Sequence, residues 1–98
     1  MTKIVLQGYI VVPPSDLEAV LEALPLHIQL TLKEEGCIRF SVEQAREDVH
    51  VFHVHEEFVD RNAFEAHQRR TRNSNWGAVS VNVERRYLIK AEKQKHPL

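Results

Sequence analysis

Residues 51–71 read VFHVHEEFVDRNAFEAHQRRT, and inside this stretch the chain changes period. From Val49 to Val59 the side chains alternate, with His50, Phe52, Val54, Glu56 and Phe58 on one face and Val51, His53, His55, Glu57 and Val59 on the other. That is a strand. After Asp60, a good helix N-cap, the repeat becomes helical: Ala63, Phe64, Ala66, His67 and Thr71 share a face, while Arg69, Arg70 and Arg72 point away. A strand therefore runs directly into a helix that ends by about Asn73.

Working back toward the N-terminus, Cys37 to Gln44 also alternates. Ile38, Phe40 and Val42 lie opposite Arg39, Ser41 and Glu43, and the polar "AREDV" supplies a turn, so strands two and three form a hairpin. Before it, Leu17, Val20, Leu21, Leu24, Ile28 and Leu32 recur at helical spacing. Ser15 and Glu18 are expected to form a capping box, Pro25 a kink or short break, and Gly36 the stop. Lys3 to Val12 is apolar at both parities and ends at Pro13-Pro14, which predicts a strand buried on both faces. Toward the C-terminus, Val79, Val81, Val83, Arg85, Tyr87 and Ile89 alternate as a fourth strand. Residues of about 90–98 read as a polar tail.

The predicted order is strand, helix, strand, strand, helix, strand, an α+β ferredoxin-like βαββαβ fold over a single domain, residues 1–98. Right-handed crossovers place both helices on one face of the antiparallel sheet. The other face then needs a cover, and a second copy packed sheet to sheet provides one, which predicts a homodimer.

Composition narrows the partners. Thirteen basic and fourteen acidic side chains give a net charge of -1 in 98 residues, with no basic block interleaved with aromatics, so nucleic acid is not an expected partner. No apolar run reaches the length of a membrane span. One cysteine, Cys37, cannot build an internal disulfide or a multi-cysteine zinc site, and a reducing, cytoplasmic setting is expected.

The runs "TLKEEGCIRFSV" and "HEEFVDRNAFEAHQ", with the closing "NWGAVSVNVERRYLI", resemble the antibiotic biosynthesis monooxygenase (ABM) domain family, including its small quinol monooxygenases. Glu56, Phe58, Phe64 and His67 fall on the positions that carry the likeness, which extends over nearly the whole chain. The resemblance implies a dimeric α+β barrel. It also implies that the electrons for oxygenation come from an electron-rich aromatic substrate, a quinol, phenol or anthrone. Dioxygen is the second reactant and no cofactor is required. The fold hosts other activities too. The haem-degrading branch uses a histidine near the end of the second helix, where this chain reads Asn73, Ser74, Asn75, Trp76 and Gly77, so haem is disfavoured.

Which residues carry chemistry depends on their faces. Glu56 shares its face with Phe52, Val54 and Phe58, so it is expected to be desolvated and its pKa raised. His67 lies on the inward face of the second helix, and His27 between Leu24 and Ile28 on the first. Glu56, His67 and His27 are thus candidate catalytic groups around one cavity between sheet and helices. The first two would act as base and orienting partner, and His27 would donate to a substrate oxygen. The competing reading is a buried Glu56–His67 pair that only fastens helix to sheet. Phe58, Phe64 and Trp76 are candidate substrate-binding residues, with Phe58 and Trp76 able to sandwich an aromatic ring; plain core packing is the alternative. His53, His55 and Glu57 have a spacing that can ligate metal, but a hydrogen-bonded sheet face is favoured and no metal is expected. Cys37 reads as a packed side chain rather than a nucleophile. The alternative function is a metabolite-binding or isomerase-type dimer with the same cavity and no oxygen chemistry.

Overall fold

The computed structural model of the chain describes residues 2–93. Its elements are β1 (Thr2–Val11), α1 (Leu17–Leu32), β2 (Cys37–Gln44), β3 (Val51–Phe58), α2 (Arg61–Arg72), a short α3 (Asn75–Val79) and β4 (Glu84–Lys93). The four strands form one antiparallel sheet in the order β2-β3-β1-β4, as a split βαβ arrangement requires. The ferredoxin-like α+β fold expected from the sequence is the one observed.

Residues of even number on β1 and β3 build the core. Ile4, Leu6, Ile10, Phe52, Val54 and Phe58 are buried with Val20 and Leu24 of α1, Phe64 of α2 and Trp76 of α3. On the opposite face, Gln7, Tyr9 and His53 are exposed. Strand β1 is therefore not buried on both faces along its length, although Val5 is buried.

Several local expectations are corrected. No Ser15 capping box forms: a 3-10 turn over Pro14–Asp16 leads into α1, whose N-cap Asp16 makes no side-chain cap bond. Helix α1 runs unbroken through Pro25, whose ring lies on the exposed side. The buried stripe of α1 is Val20, Leu24, His27 and Thr31, so Leu21 and Leu32 fall on its flanks and are exposed. A register shift between Cys37 and Arg39 opposes two residues of β2 to one of β3, which turns Ile38 out to solvent while Phe40 and Val42 stay inside. The Asp60 cap is as expected, with its carboxylate accepting from Ala63 N–H at 2.8 Å.

The largest departure lies at 75–83. Val79 closes α3, Val81 is 70% exposed in the following turn, and Val83 is buried ahead of β4. Here Ser74 caps a helix, its hydroxyl accepting from Gly77 N–H. A Cβ on Gly77 would come within 2.4 Å of the Thr71 carbonyl, so glycine lets α3 fold back against the end of α2. Valine alternation alone could not reveal that helix. The expected tail also starts too early, because Lys90–Lys93 continue β4 alongside Thr2–Val5; its remainder, 94–98, lies outside the described residues. Among the described residues no helix is long and apolar enough to cross a membrane.

Candidate active site

Strand β3 delivers Glu56 to the helix-covered face because its even-numbered residues point inward. Helix α2 delivers His67 one turn after Phe64, and α1 delivers His27 one turn after Leu24. The three are buried together. His67 Nε2 stands 3.8 Å from Glu56 Oε1, and the His27 and His67 rings are 6.0 Å apart between centroids.

Aromatic rings wall the cluster. Trp76 stacks on His27 in nearly parallel planes, 4.7 Å between centroids, and Phe40 meets the edges of both imidazoles. Phe58 packs on His67 at 5.0 Å and on Phe64 at 5.8 Å. Trp76 thus pairs with a histidine instead of facing Phe58 across a slot, and Phe58 is fully buried.

This apolar lining sets the electrostatics. Burial, aided by the negative charge of Glu34, pushes Glu56 up to about 7. His27 falls to about 3, mainly through burial and then through the positive charges of His67 and Arg70. Burial also lowers His67, against the pull of the Glu34 carboxylate. At neutral pH the centre therefore holds two neutral imidazoles and a carboxyl group poised between its two forms. Among the described residues Glu56 Oε1 and His27 Nδ1, with Thr71 Oγ1, are buried without hydrogen-bond partners, an uncommon state for buried polar atoms.

Two openings approach the cluster. A cleft of about 170 Å³ between α1 and α3 is lined by His27, Trp76, Leu26, Leu30 and Arg70, among others. A second, shallower one reaches His67 beside Glu34, Ala63 and Arg70. Glu56 lines neither and sits behind the histidines. The cavity expected around all three residues is in this structure a packed cluster with separate approaches to its two histidines.

Sequence reading missed several members. Glu34 accepts from His67 Nδ1 at 2.9 Å, and Arg70, expected to point away, hydrogen-bonds Glu34 through Nε and Thr31 Oγ1 through Nη2. Phe40 and Tyr87 also belong to the neighbourhood. The Tyr87 hydroxyl is pushed up to about 12 by burial and then by the charge of Glu56. Glu34 stood within the "KEEG" run, but nothing in its period showed that the turn would aim it at α2.

The remaining candidates lie elsewhere. His55 is on the helix-free face, bonded to Gln7 at 3.1 Å and to Glu57 at 2.7 Å, with Lys3 on the far oxygen of Glu57. Among the described residues no group of three or more histidine, cysteine or acidic side chains is arranged to hold a metal ion. Cys37 is half-buried against the core, and burial pushes its thiol up.

The family model of antibiotic biosynthesis monooxygenases matches residues 3–76. The chain belongs to that family. Among solved structures, a protein of Nitrosomonas europaea is similar with a TM-score of 0.73 at 20% identity, over 98% of this chain and 100% of that one. SnoaB, a cofactor-independent oxygenase from Streptomyces nogalater, gives 0.70 at 12% identity over 100% of both chains. A conserved protein of Methanosarcina mazei gives 0.69 at 24% identity, over 97% and 95%. At such identities the likeness shows the fold. No curated protein matches the chain significantly in sequence.

Proposed function

We propose that this chain is a cofactor-independent monooxygenase that oxidises an electron-rich aromatic, a quinol, phenol or anthrone, with dioxygen. The observation that carries the reading is the placing of Glu56 beside His67 in an aromatic-walled interior, with a carboxyl group whose proton affinity matches neutral pH. Family membership supports the reaction class, and the description of SnoaB as a cofactor-independent oxygenase fits it.

In this reading the Glu56–His67 pair takes a proton from an acidic C–H or O–H of the substrate. The resulting carbanion or phenolate is the reductant. For an anthrone-type carbon it adds to dioxygen, the peroxide is protonated, and loss of water leaves a carbonyl. One oxygen atom ends in product and one in water, and the proton first removed returns to the departing oxygen. His27, held neutral, offers its unpartnered Nδ1 to the substrate oxygen on which charge builds. Trp76 walls the approach to His27, while Phe58 backs the imidazole of His67 and Phe64 packs behind Phe58.

We also propose that the chain works as a homodimer closed through the helix-free sheet face. Leu88 is 59% exposed there, beside Gln7 and near Tyr9, and a second copy related by a two-fold axis would cover these apolar groups.

The test is oxygen uptake with a panel of quinols and anthrones, in air and under argon, for the wild type and Glu56→Gln. The proposal expects turnover that needs oxygen and falls in the variant. Turnover that persists unchanged under argon would instead identify a proton-shuttling isomerase using the same pair.

A further inference from the structure

Glu34 occupies the turn between α1 and β2, and that turn is held firmly. Glu34 N–H donates to Thr31 O at 3.0 Å, Cys37 N–H to Glu34 O at 3.2 Å, and Val59 N–H ties Gly36 O to the end of β3 at 2.8 Å. Gly36 has φ +91, a left-handed conformation, and a Cβ built on it would stand 2.6 Å from the Ala63 Cβ, so glycine lets the turn lie against α2. The Glu34 carboxylate faces His67 Nδ1, with one oxygen at 2.9 Å and the other at 3.2 Å. Arg70, one turn further along α2, bonds the same carboxylate through Nε and anchors its Nη2 on Thr31 Oγ1 at 2.9 Å. Thr31 in turn donates to His27 O at 2.8 Å.

A carboxylate accepts only, so the ring nitrogen facing it must carry the hydrogen. We propose that Glu34, pinned by Arg70, is the positioning residue that fixes His67 as its Nδ1–H tautomer and so presents the Nε2 lone pair to Glu56. Glu34 does not touch the reacting atoms. Its effect passes through His67: with the proton on Nδ1, Nε2 can accept from the Glu56 carboxyl or from substrate, whereas the opposite tautomer would aim an N–H at Glu56 and remove the acceptor. The charged and titratable groups facing His67 are Glu56 from β3, His27 from α1, Glu34 from the turn and Arg70 from α2 itself.

The catalytic consequence rests on the proton-transfer role proposed above, but the tautomer does not, and the experiment separates them. Long-range nitrogen–proton NMR of the His67 ring, at a pH where it is neutral, should place Nδ1 among protonated nitrogens and Nε2 among lone-pair nitrogens. Glu34→Ala should shift the ring to a mixture with, or mainly to, the Nε2–H form. With an accepted substrate, its kcat should fall tenfold or more with a smaller change in KM, and Glu34→Asp should restore part of both. A wild-type ring in the Nε2–H form overturns the proposal, as does a Glu34→Ala protein that keeps the Nδ1–H tautomer, even if it is less stable. If Glu34→Ala does not fold, the wild-type spectrum with that of Arg70→Lys decides, since a loosened carboxylate should already admit some Nε2–H form. A tautomer that depends on Glu34 in a protein without turnover would uphold the clamp and reject the oxygenase.

Discussion

His67 bonds Glu34 at 2.9 Å through one ring nitrogen and stands 3.8 Å from Glu56 through the other, so a single imidazole separates two carboxyl groups of opposite character. Glu34 is ion-paired to Arg70, whereas Glu56 Oε1 is buried with no hydrogen-bond partner among the described residues. Burial with no cation beside it raises the pKa of Glu56. It lets the inner carboxyl hold a proton near neutrality while the outer one orients the ring.

Stability should therefore depend on pH through Glu56. Its pKa rises from an ordinary 4.5 to about 7 in the folded chain, so between those values the folded state binds more protons than the unfolded one. Stability from this group is complete below about pH 4.5 and is lost as pH rises through 7, by up to about 3 kcal/mol. His27 acts in the opposite sense. Held neutral down to about 3, it costs stability as pH falls below 6.5, where the unfolded chain takes up the proton. Denaturant unfolding of wild type and Glu56→Gln across pH 4.5 to 8 should show the variant gaining relative to wild type as pH rises. A constant difference would mean that Glu56 is ionised in the folded state.

Activity and stability together distinguish a working pair from a fastening one. If Glu56 and His67 transfer protons, Glu56→Gln and His67→Ala should each lower turnover by about a hundredfold while the chain stays folded. If they only join α2 to β3, the loss should appear as a lower melting temperature, worth about 1 to 3 kcal/mol, because one buried polar group is left alone. Both quantities are measured on the same two proteins.

Gly36→Ala probes the turn that carries Glu34. The new Cβ meets a left-handed backbone and an Ala63 methyl at 2.6 Å, so either the turn or α2 must shift. A loss of about 1 to 3 kcal/mol is expected in chemical denaturation. Ala63→Gly in the same chain should recover the steric part and leave the backbone part.

The sheet and the two long helices were legible because their periods are unambiguous: the inward set Phe52, Val54, Glu56 and Phe58 follows from alternation alone, and His27 and His67 from their helical neighbours. What was hidden depended on tertiary contacts that a period does not encode. Ile38 turned outward because of a bulge, and Val79 entered a helix capped by Ser74. Arg70 swung from a polar face to Glu34 because a long side chain can reach around its own helix. Glu56, His67 and His27 were visible one at a time; the Glu34 carboxylate that bonds His67 was not.

The helix-free face gives the last prediction. Val81, expected on the fourth strand, lies instead in an exposed turn before β4, where a charge would disturb no sheet contact. Leu88 pairs with Gln7 on β1, and Gln7 bonds His55 on β3, so Leu88 lies on the face that the helices leave uncovered. If that face is a dimer interface closed by a two-fold axis, Leu88→Asp places two carboxylates in it, one from each copy, at a cost of several kcal/mol for charges buried without partners. Light scattering at micromolar concentration should then give a dimer for the wild type and a monomer for Leu88→Asp, with helical circular dichroism retained because Leu88 is outside the core of its own chain. A variant that remains fully dimeric would place the contact on another surface.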